Sequence, residues 1–176
     1  MVVGEDAERE ELEGFADWFR MVVTNKVRGL PTDEATRVST PSGMTALSVI
    51  KHLAWVEGFW YATHFAGDEP DQRDNASSFT LAPDDTTESV IAEYEAACDR
   101  SRRIAAAAPS LDTMSTRSHW HFHLVTLRWV LIHMVEETAR QRRPPRHPPR
   151  AHRRHHRRLT PRVPGVLPNR PHAATS

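Results

Sequence analysis

The chain predicts an all-α fold, a four-helix bundle, and three observations predict it. Apolar residues recur at three- and four-residue steps in four separate stretches. No stretch alternates apolar and polar residues in the way a half-buried strand does. The stretches are separated by helix breakers at Gly29 to Pro31, Pro41 to Gly43, Gly67 to Pro70, and Pro109.

The first helix is expected over residues 6–28, with Leu12, Phe15, Phe19, Val22 and Val23 on its apolar face. Glu8, Glu10 and Glu11 crowd its first turns, where the helix dipole favours acids. The second is expected over residues 45–64, with Leu47, Ile50, Leu53, Val56 and Trp60 inward and His52 beside that face. Residues 67–85 are polar and read as a surface connection in which Asp84 or Asp85 caps the next helix. That third helix covers residues 86–107, with Val90, Ile91, Tyr94, Ala97, Cys98 and Ile104 inward. The loop over 109–125 carries His119, Trp120, His121, Phe122 and His123. The connections over 30–44, 67–85 and 109–125 are long for an up-and-down bundle, so a crossover topology is expected.

The fourth helix, residues 127–141, bears the candidate chemistry. Leu127, Val130, Leu131, Met134 and Thr138 form its buried stripe. His133, Glu137 and Gln141 follow at i, i+4 and i+8 beside that stripe. A carboxylate facing the interior needs a partner, because burying an unpaired charge is costly. A metal ion, an arginine (Arg128 or Arg140) or a water network can each serve, whereas Glu136 is expected to face solvent.

At 176 residues the chain suits one domain with a tail. Its net charge of zero conceals a split. Residues 1–139 hold all 23 acids and 12 of the Lys and Arg, a net of −11; residues 140–176 hold 11 arginines and no acid. The tail also holds 8 of the 13 prolines and 5 of the 11 histidines. The single cysteine, Cys98, excludes an intrachain disulfide. No secretory leader and no run of about 18 apolar residues is present. A cytoplasmic, non-membrane protein is therefore expected. Two lysines against 21 arginines suggest a GC-rich coding sequence.

Two strings resemble a known family: PSGMTALSVIKHLAWVE (41–57) and TLRWVLIHMVEETAR (126–140). ESVIAEYEAACDRS (88–101) agrees in style. Together they are similar to the DinB-like superfamily, in the actinobacterial subgroup near the mycothiol-dependent maleylpyruvate isomerase metal-binding domain. The resemblance covers residues 8–140. It implies a four-helix bundle with an uncommon crossover order and a divalent metal, zinc or nickel, on three side chains. His52 matches the ligand of the second helix and Glu137 the first ligand of the fourth. Gln141 stands where such sequences typically carry a histidine, so the metal set His52, Glu137, Gln141 is expected to be incomplete. Three protein ligands and an open position make a catalytic zinc site. In relatives that use a low-molecular-weight thiol, the open position binds the sulfur. The implied activity is a metal-dependent, thiol-linked transferase or isomerase acting on a small-molecule substrate. Its catalytic residues are not identified. Exposed bundle faces, apart from the resemblance, make a homodimer an expected partner.

Beyond Arg140 the family would continue with a string like HNGHADILRE, whereas this chain reads QRRPPRHPPRAHRRHHRRLTP. Read one base later, codons allowed from Arg146 onward encode DILREHIDGTTGD and then a stop within Leu159-Thr160. The chain is thus expected to divide into a bundle over 1–140 and a frameshift-derived basic segment over 141–176. Its proline density favours extended, disordered chain. The competing reading is a basic arm that binds polyanions non-specifically by counterion release.

The remaining residues carry blander readings. His119, His121 and His123 alternate as strand ligands can, but their aromatic neighbours favour a packing role. Cys98 reads as core. Trp55, Trp60 and Trp129 read as core and pocket wall. His152, His155 and His156 suit adventitious metal binding. Neither a phosphate-binding glycine loop nor a nucleophile elbow is present.

Overall fold

The computed structural model describes residues 4–38, 43–119, 121 and 123–141. The expected disordered segment over 141–176, apart from Gln141, lies outside them, as do Pro41, Ser42, Trp120 and Phe122. Among the described residues the chain is helical and has no strand: α1 is Glu5–Asn25, α2 Thr32–Ala35, α3 Ala46–Glu57, α4 Thr87–Ala107 and α5 Leu127–Gln141. Helix α3 runs on into a π-type segment, Gly58–Ala66. Gly67 closes it in the left-handed region at φ 89°. A Cβ added there would meet Thr116 Oγ1 at 2.6 Å, so both backbone and space require glycine.

Helix α1 packs on α5, and α3 packs on α4. The consecutive pairs α1–α3 and α4–α5 are not the principal neighbours, so the long connections carry the chain from one pair to the other. One core cluster joins Val56, Trp60, Tyr61 and Phe65 to Leu127, Val130, Leu131 and Met134. The other joins Val23, Leu47, Ile50 and Leu53 to Val90, Ile91, Tyr94 and Cys98.

Three local expectations are corrected. Phe15 is 58 % exposed; the inward face of α1 is instead Ala16, Arg20, Val23 and Thr24. Its stripe contains a buried guanidinium, which apolar periodicity cannot register. Helix α4 is capped by Thr86 in a capping box with Ser89, not by Asp84 or Asp85. Asp85 instead pairs with Lys51 and accepts the Ala82 N–H at 2.7 Å. The second helix does not stay α-helical to His64 but widens from Gly58. A π-type widening turns the following side chains relative to α3 and is common at functional sites.

The 109–125 connection folds back beside the π-type segment. Thr116 and Arg117 donate backbone N–H bonds to the Phe65 and His64 carbonyls at 3.1 and 3.0 Å. Isolated bridges join Met114 to Thr126 and His119 to His123. These contacts set His119 against the rings of Phe59, Trp60 and His64.

Candidate functional site

A half-open cavity of about 590 Å³ is lined by α3, the π-type segment, the 70–75 connection, His119 and α5. His52 and Glu137, the two strong ligand candidates, both line it.

His52 comes from the middle of α3, a helix started by the Thr45–Ser48 capping box. The ring is 3 % exposed. It stacks on Phe79 at 3.8 Å and 12°, and faces Trp55 at 5.9 Å and 23°. Its Nδ1 lies 2.7 Å from Ser78 Oγ, and Ser78 donates its hydroxyl proton to the Asn75 carbonyl at 2.8 Å. A hydroxyl has one proton to give. Ser78 Oγ must therefore accept from His52 Nδ1–H, which leaves Nε2 with its lone pair. Burial pushes the His52 pKa down to about 4, with Glu137 partly opposing.

Glu137 comes from the last turns of α5. Its Oε1 is 4.0 Å from His52 Nε2 and accepts a bond of 3.3 Å from Gln141 Nε2. The two arginines that could have neutralised it are engaged elsewhere. Arg128 pairs with Glu8 at 2.8 Å and with Asp112; Arg140 pairs with Glu136, which is exposed as expected. His133 lies one turn earlier, half-buried, stacked on Trp129 at 4.8 Å and 10° and edge-on to Trp60 at 4.7 Å. Burial lowers its pKa.

The walls are aromatic. Trp55 and Trp60 line the cavity, as read from the sequence, and Phe59 joins them. Trp55 Nε1 donates to the Arg73 carbonyl at 3.0 Å and so ties the connection to α3. His119 is buried at the cavity edge, and His121 is exposed. Cys98 lies elsewhere, buried, its thiol donating to Glu57 Oε1 at 3.8 Å and its pKa pushed up by burial. Ser78, Arg73 and Phe59 were not singled out from the sequence. Ser78 and Arg73 sit in a connection without periodicity, and Phe59 enters through the π-type turn.

The donor set can be set against a divalent ion. Two ligands on a tetrahedral zinc with bonds near 2.0–2.1 Å are about 3.4 Å apart. The His52–Glu137 separation of 4.0 Å is close to that, and the His52 tautomer offers the correct nitrogen. Gln141 donates its amide N–H to Glu137 here. A half-turn of the amide offers an oxygen, a weaker neutral ligand than imidazole. Among the described residues no group of three His, Cys, Asp or Glu is placed to hold a metal ion. The residues therefore fit a divalent ion at two points, while Gln141 reaches Glu137 but is not among the residues that line the cavity.

No curated protein and no solved structure matches the chain. The family model for mycothiol-S-transferase matches residues 11–142, a span that takes in His52, Glu137, Gln141 and the cavity wall. Among the described residues no helix is long and apolar enough to cross a membrane. By that match the chain belongs to the mycothiol-S-transferase family, a DinB-like group defined by thiol-linked transfer.

Proposed function

We propose that the chain is a metal-dependent, mycothiol-type transferase whose cation site retains two strong ligands, His52 and Glu137, and a weak third, Gln141. The observation that carries this reading is their convergence. An imidazole and a carboxylate from helices far apart in sequence meet at 4.0 Å on one aromatic-walled cavity. A bound divalent ion would supply the positive charge that lowers the pKa of a thiol beside it.

The chain's own residues do the rest. The Ser78–Asn75 pair fixes the His52 ring, so Nε2 keeps its lone pair on the Glu137 side and would hold a cation there without reorganisation. Trp55, Phe59 and Trp60 face that side of the half-open cavity with apolar rings, which lowers the polarity around the charges beside them. In the transfer the thiol proton passes to water at the mouth. The sulfur forms a bond to an electrophilic carbon, and the leaving group departs with its electron pair. In an isomerase variant of the same chemistry the sulfur would leave again after rearrangement.

The test is thiol consumption by the full chain with mycothiol, zinc or nickel, and 1-chloro-2,4-dinitrobenzene. Gln141→His is expected to raise the rate on the order of 10-fold or more, and His52→Ala and Glu137→Ala to leave background only. A rate indifferent to His52 and Glu137 would remove the proposal.

The charge split favours a second reading for the C-terminal residues. We propose that residues 141–176 arise from a shifted reading frame, as the family-like ending one base later indicates. If translated, eleven arginines without an acid from Arg140 onward would retain polyanions in a salt-dependent way. Sequencing codons 135–160 in independent isolates tests the origin: an intact frame throughout would refute it.

A further inference from the structure

We infer that the second substrate of this cavity is an uncharged, ring-bearing electrophile, and that carboxylate-bearing substrates are turned away. The word electrophile rests on the transferase reading; the selection rests on the cavity's own rings and charges.

The rings come first. Trp55 stacks on Phe59 at 4.8 Å and 26°, and Phe59 meets Trp60 edge-on at 5.3 Å. They present a broad apolar wall, against which a flat guest gains offset or edge contacts as well as burial.

The charges decide the rest. The cavity lining carries three carboxylates, Glu137, Asp71 and Asp74, against one guanidinium, Arg73. Arg73 is occupied on both edges. Nη2 and Nε hold Asp71 at 2.7 and 3.1 Å, and Nη1 holds Glu93 at 3.2 Å. Asp74 accepts from the backbone and hydroxyl of Ser77 at 2.7 and 2.6 Å, bonds that favour its ionised form. Two further imidazoles on the wall, His119 and His133, are held below the ordinary histidine range by burial and so add no positive charge at neutral pH. A divalent ion gripped at Glu137 would be met by the thiolate sulfur, so an anionic second substrate would still face, among the described lining residues, a rim whose one guanidinium is already paired. A neutral ring meets no such field, and a dicarboxylate meets it twice.

Calorimetry on the full-length chain tests this with 2-naphthamide and 2-naphthoate, which share a ring and differ in charge. Naphthamide is expected to bind on the order of 10-fold more tightly. Phe59→Ala should weaken it by about 10-fold, and Phe59→Leu, which keeps volume but not flatness, by less. Asp71→Asn combined with Asp74→Asn should raise naphthoate affinity severalfold more than it changes naphthamide. No naphthamide binding, a preference for naphthoate, or indifference to Phe59→Ala overturns the inference. Thiol consumption with a neutral and a carboxylated electrophile separates it from the parent reading. Naphthamide selectivity without thiol transfer to any electrophile sinks the transferase reading alone. Fastest transfer to the carboxylated electrophile sinks the selection alone.

Discussion

Glu57 and Glu137 are two carboxylates in the bundle interior that are served very differently. Glu57, at the end of α3, is 1 % exposed. Both its oxygens are held by Arg20, from Nε and Nη2 at 2.7 Å each, and Arg20 also reaches Asp17 at 2.9 Å and lies over Tyr61. Glu137 is half-buried, its ionisable neighbour is an imidazole kept neutral at 4.0 Å, and its hydrogen bond comes from a neutral amide at 3.3 Å. A carboxylate saturated by a bidentate guanidinium has nothing left to offer a ligand. One that faces a cavity with lone pairs to spare does. The first belongs to the architecture, the second to the chemistry.

The sharpest way to break this contrast is to remove each partner in turn. Arg20→Met leaves Glu57 buried and unpaired and is expected to cost about 3–5 kcal/mol in denaturant unfolding. Glu137→Gln should change stability by less than about 1 kcal/mol while removing the metal binding that depends on His52. Equal losses would mean that Glu137 is also structural.

The next effect is on pH. His52 has a folded pKa of about 4 against an ordinary value of 6.5. Between those values the unfolded chain binds the proton and the folded chain does not. The stability contribution is therefore complete above about pH 6.5 and is lost as pH falls toward 4, by at most about 3 kcal/mol. His64, His119 and His133 share the direction, so the comparison is with His52→Gln, whose pH profile should be flatter by that amount. Identical profiles would show that the ring is not held neutral.

The smallest effect is expected at Ser78. Ser78→Ala should mix the two tautomers of His52, visible in its ring ¹⁵N shifts, and weaken metal binding by about 10-fold. A wild-type chain already carrying its proton on Nε2 would contradict the assigned relay.

Much of this was legible in the sequence. Helix α5 occupies the residues expected of it, because Leu127, Val130, Leu131, Met134 and Thr138 keep one unbroken stripe. The approach of His52 to Glu137 followed from matching two strings to a family, since periodicity alone puts many histidines beside apolar faces. The inward face of α1 departs from the expected one at Phe15 because its stripe carries Arg20, whose carboxylate partner Glu57 lies on α3, and Thr24, whose hydroxyl bonds back to the Arg20 carbonyl. The π-type widening after Glu57 was not legible, since one extra residue per turn hardly disturbs a short apolar pattern. Ser78 and Arg73 escaped because their roles are set by loop geometry.

The central claim is that His52 and Glu137 grip one cation together, and zinc or nickel calorimetry on the full-length chain, Gln141→His and Gln141→His with His52→Ala tests it most directly. Imidazoles of the tail, such as His152 and His155, are common to all three, so the differences carry the answer. Gln141→His is expected to gain a site tighter than the unmodified chain by about 10–100-fold, and His52→Ala to abolish that gain. Equal binding in all three proteins, or a gain that survives loss of His52, would contradict it.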